Sequence, residues 1–158
     1  MPRRDSGMSA VRKILLHVCC APCGSACAER LSSSGYAVTL YFTNANLTPE
    51  EEWRRRLEAV RLLAVRMALP LQVDERRHAE WLECVKGCEE QPEGGERCRR
   101  CFAFSLERTG RMARETGMDA FTTSLTVSPH KQSRVILEVG CGLDASRFLP
   151  LDFKKADG

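Results

Sequence analysis

The sequence has few aromatic residues and no long apolar run. Phe, Trp and Tyr together make up 6% of its 158 residues, and no segment reaches the roughly 18 continuous apolar residues that a membrane-spanning helix needs. The first ten residues also lack the apolar core of a secretory signal. We therefore expect a cytoplasmic protein with no membrane partner.

A strong charge of one sign is also lacking. The chain carries 24 Lys and Arg residues against 21 Asp and Glu, for a formal net charge of +3, and this balance alone does not indicate a nucleic-acid partner. The arginines are nevertheless grouped within residues 54–66 and 97–114. Either group could contact phosphates, or could equally form the solvated face of an amphipathic helix.

Cysteine, by contrast, is abundant, with nine residues in the chain. An odd number in a sequence without a secretory signal argues against a disulfide framework and favours metal binding or catalysis. The length and the 43% of hydrophobic residues predict one domain around a single core. We assign residues 11–158 to this domain and residues 1–10 to a flexible tail.

Apolar segments of strand and helix periodicity alternate along the chain. The predicted strands are Lys13–Val18, Tyr36–Thr43, Leu69–Val73 and Ala120–Leu125. The predicted helices are Cys23–Ser34, Glu50–Met67 with Thr48 as its N-cap, His78–Cys88, Cys98–Thr116, and a last one that starts at Ser128-Pro129 and ends near Gly140. This alternation predicts an α/β fold, an open parallel sheet with helices on both faces.

Five cysteines lie in two tight clusters. Cys19, Cys20 and Cys23 follow the first predicted strand, and Cys98 and Cys101 open a distant predicted helix. Ligands of open parallel sheets bind at the carboxyl ends of the strands. A helix N-terminus there lowers thiol pKa values and so favours the thiolate that metal binding or nucleophilic attack requires.

Three kinds of thiol chemistry fit these clusters. Structural zinc would use the two Cys-x-x-Cys pairs that begin at Cys20 and Cys98, and would leave Cys19 without a role. A thiol–disulfide oxidoreductase would use Cys20 and Cys23 at the helix start. An iron–sulfur cluster accepts thiolates at irregular spacings and could use both clusters.

Four motifs carry a resemblance along nearly the whole chain. They are His17-x-Cys19-Cys20-Ala21-Pro22-Cys23, Tyr41-Phe42-Thr43-Asn44-Ala45-Asn46, Pro92-Glu93-Gly94-Gly95-Glu96-Arg97-Cys98-x-x-Cys101, and Phe121-Thr122-Thr123-Ser124-Leu125 through Ser128-Pro129-His130-Lys131. In their order and spacing they resemble the QueH-type epoxyqueuosine reductases. The resemblance implies an adenine-nucleotide-hydrolase-like (HUP, Rossmann-like) fold and reduction of epoxyqueuosine to queuosine at the wobble position of tRNA.

The same resemblance implies a cofactor and its ligands. Cys19, Cys20, Cys98 and Cys101 would hold a 4Fe-4S cluster, and Cys23 would be catalytic and support an adjacent mononuclear iron. The partners would be tRNA that carries epoxyqueuosine and an electron donor that the sequence does not identify.

Polar residues that follow the second and fourth predicted strands are candidates for substrate binding. They are Asn44, Asn46, Ser128 and Lys131. The two asparagines could equally stabilise their own loop, and Ser128 could simply cap a helix. We expect His17, on an apolar strand, to be a hydrogen-bonded core residue.

Members of the family continue beyond the segment at Asp152 into a region with another cysteine pair, whereas this chain ends at Gly158. One hypothesis is therefore a non-catalytic, truncated iron–sulfur or zinc-binding remnant. We expect Cys84, Cys88 and Cys141 to be small core residues, the first two on one face of a helix.

Overall fold

The computed structural model describes residues 11–90, 95–129 and 131–154. Within them four strands form one parallel sheet in the order β3-β2-β1-β4. The strands are β1 (Lys13–His17), β2 (Ala37–Phe42), β3 (Leu71–Val73) and β4 (Ala120–Thr123). The tail assigned to residues 1–10 and the predicted domain end at Gly158 lie outside the described residues.

Helices cover both faces of the sheet, as the sequence predicted. They are α1 (Ala21–Ser33), α2 (Glu50–Met67), α3 (His78–Cys84), α4 (Glu96–Glu115) and α5 (Ser133–Leu143). Each helix in the described part of the chain is too short or too polar to cross a membrane. The α/β fold class is confirmed.

Alternating residues of β1 divide the apolar core into two layers. Ile14 and Leu16 belong to the layer that α1 and α2 cover, and Leu15 belongs to the layer under α4 and α5. All three side chains are fully buried. A strand apolar on both sides is expected in a parallel sheet whose two faces are covered.

The strand register brings three carboxyl ends to one edge of the sheet. His17, the last residue of β1, is aligned with Tyr41 on β2 and with Thr123 on β4. The segments that follow these strands therefore meet in space, although they are far apart in sequence.

Three local predictions are wrong. Pro49, in extended conformation, is the N-cap of α2 in place of Thr48. Helix α3 ends at Cys84, since the chain turns at Gly87 with a φ of +89°. Helix α5 starts at Ser133, because Ser128 precedes a proline and is held extended, with a ψ of 126°.

Candidate metal centre and active site

Three thiols meet where β1 passes into α1. Cys20 is the extended N-cap of α1, with φ −160° and ψ 163°, and a proline occupies the first turn. The sulfur atoms of Cys19, Cys20 and Cys23 all lie within 4.8 Å of one another. Two thiolates bound to one ion at about 2.3 Å from it lie at most about 4.6 Å apart. The triad is therefore close to the spacing that one ion requires, and its sulfur donors suit a thiophilic metal such as iron or zinc.

Hydrogen bonding within the triad separates the acidities of its thiols. The pKa of Cys23 is lowered, chiefly because Cys19 hydrogen-bonds to its side chain. The pKa of Cys20 is raised, first by its hydrogen bond with Cys19 and then by burial. Cys23 is therefore ionised more readily than Cys20, and the thiolate is the form that binds metals and attacks electrophiles.

Ser124, the residue after β4, holds Cys19 in position through two contacts. Its Oγ accepts a hydrogen bond from the backbone N–H of Cys19 at 3.0 Å and donates one to Cys19 Sγ at 3.2 Å. Its own N–H donates to the carbonyl of His17 at 2.9 Å. The sequence placed Ser124 within the fourth predicted strand, Ala120–Leu125, and did not predict its contact with a thiol.

The buried His17 connects the ends of β1, β2 and β4. Its Nε2 lies 3.1 Å from both the Thr43 carbonyl oxygen and Asn44 Oδ1, and its Nδ1 lies 2.8 Å from Thr123 Oγ1. Because both partners of Nε2 are acceptors, this nitrogen carries the hydrogen and Thr123 donates to Nδ1. Burial lowers the pKa of His17 to about 4, so the ring is neutral. Its burial and its hydrogen bonds confirm the expected core residue.

The distant cysteine pair reaches the same region through α4. Cys101 lines a cavity of about 270 Å³ together with Cys19, Cys20 and Cys23, and burial is the main reason that its pKa is raised. Cys98, one turn earlier on α4, is not among the described residues that line this cavity, although it packs against the same apolar layer as Cys19. The tertiary fold therefore brings both cysteine clusters to one end of the sheet.

The polar residues expected to bind substrate all line this thiol cavity: Asn44, Asn46, Ser128 and Lys131. Asn44 is 4% exposed, and its Nδ2 donates to the Val18 carbonyl at 2.9 Å, so its amide already stabilises the loop. Arg56 of α2 also lines the cavity and pairs with Glu52 at 2.8 Å. The sequence did not single out Arg56. Its position in the arginine-rich segment 54–66, on a predicted helix, could have marked it as a candidate for the site.

The remaining candidate cysteines lie elsewhere. Cys88 is buried and Cys84 is half-buried, with its Sγ 3.8 Å from the Arg100 carbonyl. Because α3 ends at Cys84, the two do not share a helix face as predicted. Cys141 is exposed on α5, so the expectation of a core residue is wrong for it.

The chain is similar to a family of known proteins over most of its length. A family model described as "Epoxyqueuosine reductase QueH" matches residues 14–158. Epoxyqueuosine reductase QueH of Streptococcus pyogenes is 40% identical over 92% of this chain and 60% of its own length. The proteins of the same name from Histophilus somni and Thermotoga maritima are 36% and 33% identical, over 82% and 89% of this chain and 53% and 73% of their own lengths. The chain thus spans roughly half to three quarters of these relatives.

A solved structure supports the fold. The crystal structure of a predicted subunit of a tRNA methyltransferase from Methanocaldococcus jannaschii matches with a TM-score of 0.55 and 16% identity, over 86% of this chain and 66% of that chain. At this identity the likeness concerns the fold alone, and it agrees with the α/β architecture of the chain.

Proposed function

The chain belongs to the epoxyqueuosine reductase QueH family, and on that premise we propose that it is an oxidoreductase that reduces epoxyqueuosine to queuosine at the wobble position of tRNA. The observation that carries the proposal is the meeting of four thiols, those of Cys19, Cys20, Cys23 and Cys101, around one cavity at the carboxyl edge of the sheet. We also propose a cytoplasmic location, because the cytoplasm keeps thiols reduced and available to metals.

The reaction explains why so many thiolates are needed. Converting an epoxide to an alkene consumes two electrons and two protons and releases the oxygen as water. Side chains alone do not supply both the electrons and an acceptor for the oxygen. A thiolate-bound iron–sulfur centre provides redox chemistry, and an iron with a free coordination position provides a Lewis acid.

We assign Cys19, Cys20, Cys98 and Cys101 as ligands of a 4Fe-4S cluster and Cys23 as the catalytic residue beside it, supporting an adjacent mononuclear iron. The low pKa of the Cys23 thiol relative to that of Cys20 supports a separate role for Cys23. Ser124 Oγ donates a hydrogen bond to Cys19 Sγ, and residues that hydrogen-bond to metal ligands orient them in many metal sites.

The polar residues that line the thiol cavity support the proposal that the substrate is a nucleoside. Asn46, Ser128 and Lys131 offer donors and acceptors beside the thiols, and the cavity volume of about 270 Å³ has room for one base and not for a helix. The target base must therefore leave its stack to enter, which is easiest in a single-stranded loop. Such a loop surrounds the wobble position of tRNA.

Metal and sulfide analysis tests the cofactor. After anaerobic reconstitution with iron and sulfide, we expect about four sulfide and about five iron per chain, the fifth iron being the mononuclear one, and a broad visible absorption. Cys101→Ser should abolish this absorption, whereas Cys141→Ser, at the exposed thiol of α5, should retain it. One zinc per chain without visible absorption would refute the iron–sulfur proposal and favour the zinc-binding alternative.

Nucleoside analysis tests the activity. Reconstituted protein and dithionite are incubated with tRNA that carries epoxyqueuosine, and the digested nucleosides are separated by mass. We expect queuosine from the wild-type chain and from Cys141→Ser. Cys23→Ala should lower turnover at least about 100-fold with the cluster absorption intact. An intact cluster that forms no queuosine would support the non-catalytic alternative, and loss of the cluster in Cys23→Ala would refute the separate role of Cys23.

A further inference from the structure

A tryptophan packs beside the cysteine that α4 brings to the thiol cavity. Trp81 lies on α3, is 7% exposed, and forms a small apolar cluster with Ala45 and Val85. Cys101, which lines the thiol cavity, packs against this cluster. The thiol of Cys101 therefore has the thiol cavity and the Trp81 cluster as two of its surroundings.

The indole N–H of Trp81 is a buried donor without a full hydrogen bond. Its Nε1 meets no acceptor at normal hydrogen-bond geometry among the described residues. The Cys101 sulfur is still close enough to interact with it: burial is the main cause that raises the pKa of Cys101, and hydrogen bonding from Trp81 opposes the rise. A neutral thiol is a weak acceptor, whereas a charged acceptor shortens and strengthens a hydrogen bond. The donor therefore suits a Cys101 thiolate better than a thiol.

Two neighbours hold the plane of this indole ring. The His78 ring stacks on it, with ring centres 5.6 Å apart and an angle of 19° between the planes. His78 is held in turn by its Nδ1, which donates to the Ala45 carbonyl at 2.7 Å, because a carbonyl oxygen only accepts. The Arg97 guanidinium carbon lies 5.7 Å from the centre of the indole ring, within the range of a cation–π contact. Contacts that do not involve Cys101 therefore orient the indole.

We propose that Trp81 is a positioning residue of the metal centre, whose indole N–H donates a hydrogen bond to the Cys101 thiolate when that sulfur is a metal ligand. The inference rests on the proposed role of Cys101 as a cluster ligand. Residues that hydrogen-bond to metal ligands orient them and tune the metal.

The reduction potential is the property that such a hydrogen bond changes. Hydrogen bonds to the sulfur atoms are among the factors that set the potential of an iron–sulfur cluster. The reduced form carries one more negative charge than the oxidised form, so a donor beside a ligand sulfur stabilises the reduced form more. Trp81 should therefore raise the potential, and removal of its N–H should lower it.

Redox titration of the reconstituted chain, followed by visible absorption, measures this effect. Trp81→Phe keeps an aromatic ring and removes the N–H. We expect it to lower the ratio of reduced to oxidised cluster at a fixed potential about threefold to tenfold, equivalent to roughly 30–60 mV for a one-electron couple.

Trp53→Phe is the matched control. Trp53 also has a buried Nε1 without a partner among the described residues, but it packs against Phe42, with ring centres 5.7 Å apart, and is not among the described residues that line the thiol cavity. The control should leave the potential unchanged. Equal potentials in Trp81→Phe and Trp53→Phe would overturn the proposal.

A second replacement separates the hydrogen bond from the shape of the ring. Benzothienylalanine has the fused rings of tryptophan with a sulfur atom in place of the N–H. Supplied instead of tryptophan to the Trp53→Phe chain, it changes the side chain at position 81 alone. We expect the same fall in potential as in Trp81→Phe, and a potential equal to that of Trp53→Phe would overturn the proposal.

The contact is also tested without metal. In the reduced, metal-free full chain labelled with ¹⁵N-tryptophan, Trp53 and Trp81 each give an indole N–H signal, and Trp53→Phe identifies them. We expect Cys101→Ala to move the Trp81 proton to lower chemical shift, because its acceptor is lost. Cys141→Ala, at the exposed thiol of α5, should leave both signals in place.

An unmoved Trp81 signal in Cys101→Ala would overturn the proposal. This readout does not depend on cluster assembly or on turnover, so failure of the proposed reductase function is distinguishable from failure here.

Discussion

Asp74 accepts hydrogen bonds from four residues and anchors the loop after β3. Thr43 Oγ1 donates at 2.8 Å, Arg77 Nε at 2.9 Å and the Glu75 backbone N–H at 2.9 Å, while Arg108 donates twice at 3.1 Å. The Asp74 side chain is only 5% exposed. Asp74→Asn keeps the shape of the residue and removes its charge, so it tests the contribution of this network to stability.

The expected cost follows from the burial of the partners. Removing one partner from a fully buried ion pair costs about 3–5 kcal/mol. The Arg77 and Arg108 side chains are 24% and 15% exposed, so water compensates part of the loss, and we expect Asp74→Asn to lower the free energy of unfolding by about 2–3 kcal/mol. Glu138→Gln, whose carboxylate is 47% exposed, should lower the free energy of unfolding much less, because solvent screens its ion pairs.

Urea denaturation followed by circular dichroism measures both variants. Burial by itself raises the pKa of Asp74, but the hydrogen bonds from Arg108, Arg77 and Thr43 lower it overall below its ordinary value of 3.8. The ionised carboxylate therefore stabilises the fold above about pH 4, and this contribution is lost as the pH falls through the folded pKa. The gap between wild type and Asp74→Asn should narrow from about pH 7 to about pH 3. Equal losses in Asp74→Asn and Glu138→Gln at neutral pH would refute this reasoning.

Two further predictions concern the metal site and the core. Ser124→Ala removes both contacts to Cys19 and should weaken metal binding about 10- to 100-fold, measured by competition with a chelator; an unchanged affinity would show that the serine does not support the site. Gly140→Ala places a Cβ 2.5 Å from the ring of Phe148 and should cost about 1–3 kcal/mol. Gly142→Ala on the same helix meets no atom within 4 Å and should be neutral or stabilising by up to about 1 kcal/mol. Thermal unfolding compares the two, and equal melting temperatures would contradict the packing argument.

Hydrophobic periodicity, prolines and turn residues in the sequence predicted most of the helices and strands correctly. Helix α2 has the predicted bounds Glu50–Met67, because a proline precedes it and its apolar residues recur at helical spacing. The start of α5 was predicted wrongly, because two sequence patterns overlap there. Ser128-Pro129 has the composition of a helix start, but the tight turn Leu125–Val127 after β4 and the extended Ser128 delay α5 to Ser133.

The residues of the candidate site also fall into those that the sequence predicted and those that it did not. The motifs around Cys19 and Cys98 predicted the thiols, and the polar residues after β2 and β4 were predicted for the same edge of the sheet. Their shared cavity is a property of the parallel register and of α4 lying across the sheet. The sulfur contact of Ser124 was not predicted, since it depends on which side chains of non-neighbouring elements face each other.

The sequence by itself determined the strand and helix order, the positions of the two thiol clusters and the family, because periodicity, turn residues and motifs act over a few neighbouring positions. Only the tertiary structure decided that Cys101 lines the same cavity as the Cys19 triad and that Cys141 is exposed. These features require contacts between residues far apart in the chain, and such contacts form only when the whole sheet and its covering helices pack together.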